Sequence, residues 1–592
     1  MFNYNTKNNV SDLRKLMRKN SIDSYFVTHN DEYFSEYVPK NKERLKWISG
    51  FSGSAGSLLI TAKKLYLFTD GRYLLQAKQQ TLNLKCEIIN ILDIKPIDFL
   101  KKNYNSFKSI GIDSRTFSLV EFNYLKKVIT KTNIKIKILD KNLIDILWKR
   151  NLKVQNTNKI FFLSSKYTGE TNKIKLKKIF SYLLKEEADY IFTQDSESIA
   201  WLNNLRGNDL DHTPITFCSA LIGKNDQKLF FENKNLPEKI KKKLGKETKV
   251  YNSNELYEIV KKKISKNSKV IINENKISLF NYNLLKKITN NLLSKNDVML
   301  SYRSIKNVTE IKCFKKAHIL DGIAICKFLY WYKNYKGTVS ELDVVKKIDS
   351  LRYKNSDFIC ASFPTIAGAG KNGAIIHYQP NSSTNRKISG SDILLLDSGG
   401  QYFYGTTDVT RTITRSDKIS NTIKYHYTAV LKGHISLNLS QFPSGSPGSF
   451  LDTLARQKLW DIGEDFAHST GHGVGFCLNV HEGPFSISLK STSPIYGRMV
   501  FSNEPGLYKN GKYGIRIENL VYTKDLKINN KNFLTLENLT LVPYEKDLIK
   551  VNHLNTEEKK WLNNYHKSVI RNISPYLDKK ELKWLEKQCK EI

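Results

Sequence analysis

Two aspartates beside an apolar segment are the first residues that could do chemistry. Asp397 directly follows the apolar run 393–396, and Asp408 lies on the segment that returns after Ser398 and two glycines. The pattern predicts a strand, a turn and a returning strand, which would bring both carboxylates to one place. Two close carboxylates repel each other, so they need a cation or a shared proton. Two solvated aspartates at a sheet edge are the alternative, and the apolar run before Asp397 argues against it.

Histidines are concentrated in a glycine-rich segment further along the chain. His468 and His472 lie in HSTGHGVG, and His481 begins HEGP. An i, i+4 pair of histidines on a helix would be typical of a zinc site. The glycines between them disfavour a helix, so we expect a loop that enters a strand. A single histidine is usually a core or surface residue, but three in so short a stretch indicate a site. A fourth, His377, follows the glycine-rich stretch 368–370.

Two glutamates follow the histidines. Glu504 lies in SNEPGLY, and Glu518 lies in GIRIENL. Residues two apart on a strand face the same side, so Arg516 and Glu518 should share one face, with Ile515 and Ile517 opposite. Each glutamate alone could instead be an ordinary strand residue or an ion-pair partner of Arg516.

Four carboxylates and one imidazole make up the candidate metal site. Its members are Asp397, Asp408, His472, Glu504 and Glu518. Such a set can hold two divalent cations close together, and its oxygen ligands favour Mn(II), with Zn(II), Co(II) or Fe(II) as alternatives. Two cations can share a water, lower its pKa and place it for attack on a carbonyl carbon. The chemistry indicated is metal-dependent hydrolysis.

The first half of the chain, which must help to position these residues, contains an internal repeat of one α/β unit. Self-similarity at domain length suggests duplication. Chance similarity in a chain rich in Lys and Ile is the alternative, and the fixed order of the matched segments disfavours it. The matched segments are 23–28 and 189–193, 47–50 and 201–207, the strand pairs that begin at 57 and 219, and 110–113 and 270–273.

The second half carries the candidate site. A helix should start near Asn307, where Asn307 or Thr309 can cap it and Glu310 suits its N-terminus. Glycine is then dense from Gly368 to Gly514, among β-rich segments whose loops would hold the site residues.

The end of the chain has a helical pattern. Asn555 and Glu558 form a cap pair, and Trp561, Tyr565 and Val569 recur every four residues on one face. A tail of this kind usually packs on its own domain or on a partner subunit.

Composition excludes several classes of protein. The chain has 592 residues, of which 40% are hydrophobic and 26% charged, so it is not disordered, collagenous or fibrous. We find no stretch of about 18 apolar residues for a membrane span and no apolar region typical of a secretory signal near the start. The seven scattered cysteines have no C-x-x-C pair, which indicates reduced thiols and a cytoplasmic location.

The formal net charge of +38 has two interpretations. Binding to nucleic acid or to an anionic membrane surface is one. Compositional drift is the other, and we favour it because the lysines are spread along the whole chain instead of concentrating on one element. We therefore expect neither a nucleic-acid partner nor a membrane.

The second half resembles the pita-bread metallopeptidase family. The motifs IIHYQP, LLLDSGGQYFYGTTDVTRT, HSTGHGVG, NVHEGP, SNEPGLY and GIRIENL are most similar to those of the long, three-domain cytosolic Xaa-Pro aminopeptidases, also called aminopeptidase P. The first half resembles two creatinase-type N-terminal domains, with WISGFSGSAG and FTDGRYLLQA at motif positions, and the tail resembles the C-terminal extension of that subfamily. The resemblance covers nearly the whole chain.

The resemblance implies an α/β (α+β) fold class in four parts. Residues 1–155 and 156–302 would be two creatinase-N-like α/β domains. Residues 303–550 would form a pita-bread catalytic domain with a curved antiparallel sheet, and residues 551–592 a helical C-terminal extension.

The resemblance also assigns the metal ligands. Asp397 would bind the first metal, Asp408 and Glu518 would bridge the two metals, and His472 and Glu504 would complete the second site. A hydroxide bridging the metals would attack the carbonyl of the first peptide bond.

Further roles are implied for residues around the metals. Glu504 would also be the general acid/base that carries a proton to the leaving nitrogen. His377 and His481 would hydrogen-bond the substrate and the developing oxyanion. His468 would line the pocket for the second residue of the substrate.

Two arginines complete the implied site. Arg516 would orient Glu518 and its neighbours. Arg72, in the first domain, matches a family residue that reaches the substrate.

The implied function is hydrolysis of the N-terminal Xaa-Pro bond of peptides with proline at position two, by a homodimer. An Xaa-Pro bond is a tertiary amide without N–H, so peptidases that grip that N–H fail on it. The alternatives are a prolidase, which cleaves only Xaa-Pro dipeptides, a metal-free creatinase-type enzyme, and a non-catalytic protein-binding module of this fold. The intact ligand set disfavours the last two, and the duplicated first half and helical tail disfavour a prolidase.

Overall fold

The computed structural model describes residues 5–139, 141–149, 160–232, 236–416 and 418–592. The chain divides into two compact units. The N-terminal unit comprises Met1–Phe162, Glu170–Leu210 and Ile215–Met299, and the C-terminal unit comprises Leu163–Gly169, Asp211–Pro214 and Leu300–Ile592. The predicted boundary between residues 155 and 156 falls outside the described residues. Among the helices that are described, none is both long and apolar enough to cross a bilayer.

Helices occur in both units. In chain order they are α1 (Thr6–Lys19), α2 (Arg44–Ser49), α3 (Leu74–Gln80), α4 (Pro96–Lys102), α5 (Leu119–Ile129), α6 (Leu143–Leu147), α7 (Ser165–Thr168), α8 (Asn172–Lys185), α9 (Ser196–Asn203), α10 (Glu238–Leu244), α11 (Leu256–Lys263), α12 (Leu279–Lys286), α13 (Val298–Ser304), α14 (Val308–Asn334), α15 (Glu341–Arg352), α16 (Asn421–Asn438), α17 (Gly448–Trp460), α18 (Thr556–Ile573) and α19 (Lys579–Gln588).

Strands also occur in both units. They are β1 (Ser24–Thr28), β2 (Ser57–Thr61), β3 (Leu65–Thr69), β4 (Glu87–Asn90), β5 (Ser109–Asp113), β6 (Lys135–Leu139), β7 (Phe161–Phe162), β8 (Tyr190–Thr193), β9 (Leu205–Arg206), β10 (Cys218–Gly223), β11 (Gln227–Phe231), β12 (Thr248–Asn252), β13 (Lys269–Ile272), β14 (Asn291–Ser294), β15 (Phe358–Ala361), β16 (Ile366–Ala369), β17 (Ile393–Ser398), β18 (Gly400–Tyr402), β19 (Gly405–Thr406), β20 (Val409–Thr414), β21 (Gln441–Pro443), β22 (Gly471–Gly473), β23 (Glu482–Ile487), β24 (Val500–Asn503), β25 (Gly506–Lys509), β26 (Tyr513–Arg516), β27 (Asn519–Ile528) and β28 (Lys531–Asn538).

The N-terminal unit contains two six-stranded sheets with the same topology. The order is β4-β3-β2-β1-β5-β6 in the first sheet and β12-β11-β10-β8-β13-β14 in the second. The two copies meet through reciprocal bonds: Leu119 N donates to Ile277 O at 3.0 Å, and Leu279 N donates to Phe117 O at 2.9 Å. The predicted duplication is confirmed.

The C-terminal unit is built on antiparallel sheets that curl around the candidate site. The described part of the unit contains the sheets β15-β18-β19 and β25-β26 and two further sheets, with the orders β16-β17-β20 and β21-β28-β27-β24-β22-β23. Helices cover both: Phe328 of α14 and Val344 of α15 pack on the first sheet, and Leu437 of α16 and Leu451 of α17 pack on the second. The predicted α/β fold with a curved antiparallel sheet is confirmed.

The predicted helix starts are also confirmed. Asn307 caps α14 in a capping box with Glu310, and Asn555 caps α18 in a capping box with Glu558. The tail packs on its own unit, because Tyr565 and Val569 of α18 are buried in the same core cluster as residues of α16.

The turn predicted at residues 398–400 is wrong. Strand β17 continues to Ser398, and β18 and β19 then form a small hairpin before β20 returns beside β17. Gly399 is needed for close packing and not for a turn, since a Cβ there would lie 2.0 Å from Thr407 O. Asp397 nevertheless pairs with Thr410, two residues beyond Asp408, so the expected approach of the two aspartates holds.

The continuous strand predicted through Glu518 is also wrong. Strand β26 ends at Arg516. Ile517 N still donates to Pro505 O in the β25–β26 register, whereas Glu518 N leaves that ladder and donates to Thr410 O. Arg516 and Glu518 still reach a common partner, the hydroxyl of Thr410.

Candidate active site

The C-terminal unit brings the residues of the candidate metal site together. Nε2 of His472 lies 3.6 Å from Oδ2 of Asp408 and 3.4 Å from Oε1 of Glu504. One ligand atom each of Asp408, His472 and Glu518 lie within 4.8 Å of one another. Asp397 is close enough for its charge to act on Asp408, Glu504 and Glu518.

Each of these residues lies in a strand or directly beside one, so the sheets fix the spacing of the side chains. Asp397 is in β17, Asp408 precedes β20, His472 is in β22, Glu504 follows β24, and Glu518 lies between β26 and β27.

Three carboxylate oxygens of the site are buried without a hydrogen-bond partner among the described residues. They are Oδ1 of Asp397, Oδ1 of Asp408 and Oε1 of Glu518. A buried charged oxygen without a partner is costly, and such a group calls for a partner beyond the protein side chains, such as a bound ion. The donor set therefore fits hard divalent cations, which take oxygen ligands and accept one imidazole.

Electrostatics support the same interpretation. Burial raises the pKa of Asp408 well above its usual range, and the charge of Asp397 adds to the effect. Burial and then the charge of Asp408 raise the pKa of Glu518 in the same way, and burial raises the pKa of Glu504. Cations among these groups would offset both burial and mutual repulsion.

Arg516 is the buried counter-charge beside the acidic cluster. Its Nη2 donates to Oδ2 of Asp397 at 2.6 Å, and its Nη1 donates to Oη of Tyr508 at 2.8 Å. Its Nε donates to Oγ1 of Thr410 at 3.2 Å, and that hydroxyl donates to Oε2 of Glu518 at 2.8 Å. Arg516 thus contacts Asp397 directly and Glu518 through Thr410.

The tautomer of His472 follows from its backbone contact. Nδ1 lies 3.0 Å from Gly473 O, an acceptor, so Nδ1 carries the proton. Nε2 is left with a lone pair toward Asp408 and Glu504, which is the form that binds a metal.

His468 is connected to the site by a chain of hydrogen bonds. Its Nδ1 lies 2.8 Å from Ser469 O, and its Nε2 lies 2.8 Å from Oη of Tyr508. Because Tyr508 accepts from Arg516, its own proton is available for Nε2 of His468. His468 is thereby linked to the guanidinium that holds Asp397.

The remaining residues predicted to bind the substrate are His481, His377 and Arg72, and each lies in a different part of the structure. The ring of His481 lies against that of His472, with centroids 4.3 Å apart at 88°. His377 follows Ile376, whose carbonyl accepts from Arg516 Nη1 at 3.3 Å. Arg72 belongs to the N-terminal unit, where it pairs with Asp70 at 2.7 Å.

Sequence reasoning missed the residues that hold the predicted ones. Four residues contact the predicted ones through a hydroxyl or a carbonyl group, namely Thr410, Tyr508, Ser502 and Thr470. Ser502 Oγ donates to Glu504 Oε1 at 3.1 Å, and Thr470 O accepts from Glu504 N at 2.8 Å. Alternation along β20 could have indicated Thr410, since it lies two residues from Asp408.

Family models match along the whole chain. The description "Creatinase/Prolidase N-terminal domain" applies to residues 10–141 and again to 151–310. "Metallopeptidase family M24" matches residues 312–525, and the C-terminal region of these peptidases matches 532–592.

Individual relatives align from end to end. A probable Xaa-Pro aminopeptidase P of Laccaria bicolor is 36% identical over 99% of this chain and 93% of its own length. Xaa-Pro aminopeptidase 1 of Dictyostelium discoideum is 36% identical over 98% of this chain and 96% of its own. The X-prolyl aminopeptidase of Caenorhabditis elegans, described as a cytosolic enzyme with a di-nuclear active site, superposes with a TM-score of 0.93 at 30% identity over 99% of this chain and 100% of that one. The chain therefore belongs to metallopeptidase family M24, among the relatives named Xaa-Pro aminopeptidase.

Proposed function

We propose that this chain is a metal-dependent aminopeptidase that hydrolyses the N-terminal Xaa-Pro bond and releases the first amino acid of peptides with proline at position two. One observation carries the proposal: Asp408 and Glu518, each with a buried oxygen that has no hydrogen-bond partner among the described residues, converge with His472. The end-to-end alignment with relatives named Xaa-Pro aminopeptidase supports the choice of substrate. A prolidase is disfavoured because those relatives share both N-terminal copies and the tail.

The five converging residues would hold two divalent cations. We assign Asp397 to the first site, His472 and Glu504 to the second, and Asp408 and Glu518 to both. The hard oxygen donors favour Mn(II), with Zn(II) or Co(II) as alternatives. Such cations supply an acidified water and polarise the scissile carbonyl.

The remaining side chains would bind the substrate and move protons. Glu504, at hydrogen-bond distance from Ser502, would take a proton from the attacking water and pass it to the leaving proline nitrogen. His377 and His481 would donate to the substrate carbonyl oxygen. His468, at hydrogen-bond distance from Tyr508, would line the pocket for the proline ring.

In the N-terminal unit, we propose Arg72 as a further substrate-binding residue.

Cleaving an Xaa-Pro bond releases a nitrogen that had no hydrogen, so proton delivery to that nitrogen is a requirement of the reaction. The free α-amine of the substrate would lie near the acidic cluster, which favours cleavage at the N-terminus of the peptide.

The test compares Xaa-Pro-Xaa tripeptides with Xaa-Pro dipeptides, before and after metal removal and addition of Mn(II). We expect turnover of the tripeptides that is lost with the metal and restored by it. Turnover of dipeptides alone would identify a prolidase, and no turnover after reconstitution would favour a protein-binding module.

Two further properties belong to this proposal. We propose a cytoplasmic location, which the description of the nematode relative supports. Homodimerisation stays a prediction, and light scattering during size-exclusion chromatography would test it.

A further inference from the structure

A buried glutamate outside the acidic cluster holds the segment that carries His377. Glu341 is the first residue of α15 and is fully buried. Its Oε1 accepts from Ala369 N at 2.9 Å, and its Oε2 accepts from Arg386 N at 3.1 Å. One carboxylate therefore ties together both ends of the segment 369–386, which has His377 in its middle.

The same carboxylate reaches the neighbour of His377. Oη of Tyr378 lies 2.8 Å from Oε2 of Glu341 and 2.9 Å from Thr384 O, and the carboxylate is the stronger acceptor for its proton. Nδ2 of Asn372 donates to Oε1 of Glu341 at 3.0 Å and to Oη of Tyr378 at 2.9 Å. The turn 372–378 is thus closed onto Glu341 by charge-assisted hydrogen bonds, which are about twice as strong as neutral ones.

The same turn also packs on β26, the strand that ends at Arg516. A Cβ on Gly514 would lie 1.8 Å from Gly373 O, so backbone packs directly on backbone there. Arg516, which holds Asp397, also donates to Ile376 O at 3.3 Å. The residue before His377 is held by Arg516 and the residue after it by Glu341.

We propose that Glu341, acting through Tyr378, is a positioning residue that sets the place of His377 relative to the metal site. The inference rests on the proposed function, in which His377 contacts the substrate. Nothing in the machinery described above uses Glu341, whose buried charge at the start of a helix is costly unless such donors surround it.

The test uses Glu341→Gln and Tyr378→Phe, with Asp343→Asn as the matched control. Gln cannot accept from both Ala369 and Arg386 without turning its amide nitrogen toward a donor, and Phe removes only the hydroxyl. Asp343 lies in the same helix turn but is exposed, and among the described residues its side chain accepts hydrogen bonds from Ser340 of the helix cap. Peptide kinetics, metal content and hydrogen exchange are measured on each full-length protein.

We expect both variants to lower kcat/KM about ten- to hundredfold, as small displacements of catalytic groups do, with metal content unchanged. Exchange should rise in residues 369–386 and not elsewhere, and the control should stay within about twofold of the unmodified protein. When Glu341→Gln or Tyr378→Phe is added to His377→Ala, kcat/KM should fall little further, because the effect of each variant acts through the ring of His377.

The inference would be overturned if either variant lowered kcat/KM as much in the His377→Ala background as in the unmodified protein. Faster hydrogen exchange throughout the C-terminal unit would also overturn it, and so would a fully active His377→Ala protein. Failure of the unmodified protein to cleave any peptide would count against the proposed function. The exchange pattern of Glu341→Gln would still report on the positioning.

Discussion

At the scale of single residues, the site is defined by what its carboxylates lack. Arg516 satisfies one oxygen of Asp397, and Thr410 satisfies one oxygen of Glu518, while the second oxygen of each has no partner in the described part of the chain. Desolvated acids in contact raise one another's pKa. The arrangement is therefore costly without cations and is relieved by them.

Among the proposed metal ligands, Asp408→Asn is the simplest test of whether cations relieve the buried carboxylates. We expect bound metal to fall below two ions per chain and kcat to fall at least about a hundredfold, since even residues behind a ligand are worth ten- to hundredfold. The metal-free variant should melt no lower than the metal-free parent, because the change removes a repelled charge. Elemental analysis, kinetics and thermal melts check these outcomes, with exposed Asp525→Asn as control. Substantial turnover by Asp408→Asn would show that the shared ligand is misassigned.

Arg516→Lys keeps the positive charge but removes the planar guanidinium group that donates several hydrogen bonds at once. Lysine cannot donate to Asp397, Tyr508 and Thr410 at once, because its ammonium is a point donor on a flexible stem. We expect metal affinity or activity to fall about ten- to hundredfold, measured by metal titration and by kinetics. A lysine variant with full affinity and activity would mean that charge alone is sufficient.

The residues that converge in the candidate site could be predicted from sequence better than the residues that support them. The motifs that contain Asp397, His472 and Glu504 have residue types that indicate metal binding. Glu341 acts through charge-assisted hydrogen bonds made across long sequence separations, which no local pattern encodes.

At the scale of elements, strand ends and close glycine contacts bring the site together. Periodicity and capping signals predicted α14, α18 and the duplicated strands, because those signals are local. The same reasoning misjudged residues 398–400 and 516–518. There the chain leaves a ladder to satisfy tertiary contacts, with Glu518 N donating to Thr410 O.

Gly514→Ala should disrupt the site from a distance. Its added Cβ would overlap Gly373 O, separating β26 from the turn that leads to His377. We expect a loss of about 1–3 kcal/mol or more in the free energy of unfolding, with reduced activity. Denaturant unfolding and peptide kinetics measure both. Gly390→Ala is the control, because nothing lies within 4 Å of its Cβ position. Equal behaviour of the two variants would contradict the close-packing argument.

At the scale of the whole molecule, buried neutral histidines predict sensitivity to acid. Burial lowers the pKa of His318 from 6.5 to about 4 and that of His566 to about 3. Between pH 6.5 and about 4 the unfolded chain binds protons that these folded rings do not. The free energy of unfolding should therefore fall as pH falls through that window, by about 1.4 kcal/mol per pH unit for each histidine.

His318→Phe should reduce that slope by about one proton, as measured by denaturant unfolding at several pH values. The exposed His553→Phe serves as control. An unchanged slope in His318→Phe would show that the ring is protonated in the folded protein.

The central claim is that five side chains, distant in sequence, hold two cations in one site. Anomalous diffraction from crystals of the protein loaded with Mn(II) tests it most directly. The account predicts two peaks about 3.5–4 Å apart, enclosed by Asp397, Asp408, His472, Glu504 and Glu518. Peaks located elsewhere, or no metal among these residues in catalytically active protein, would contradict it.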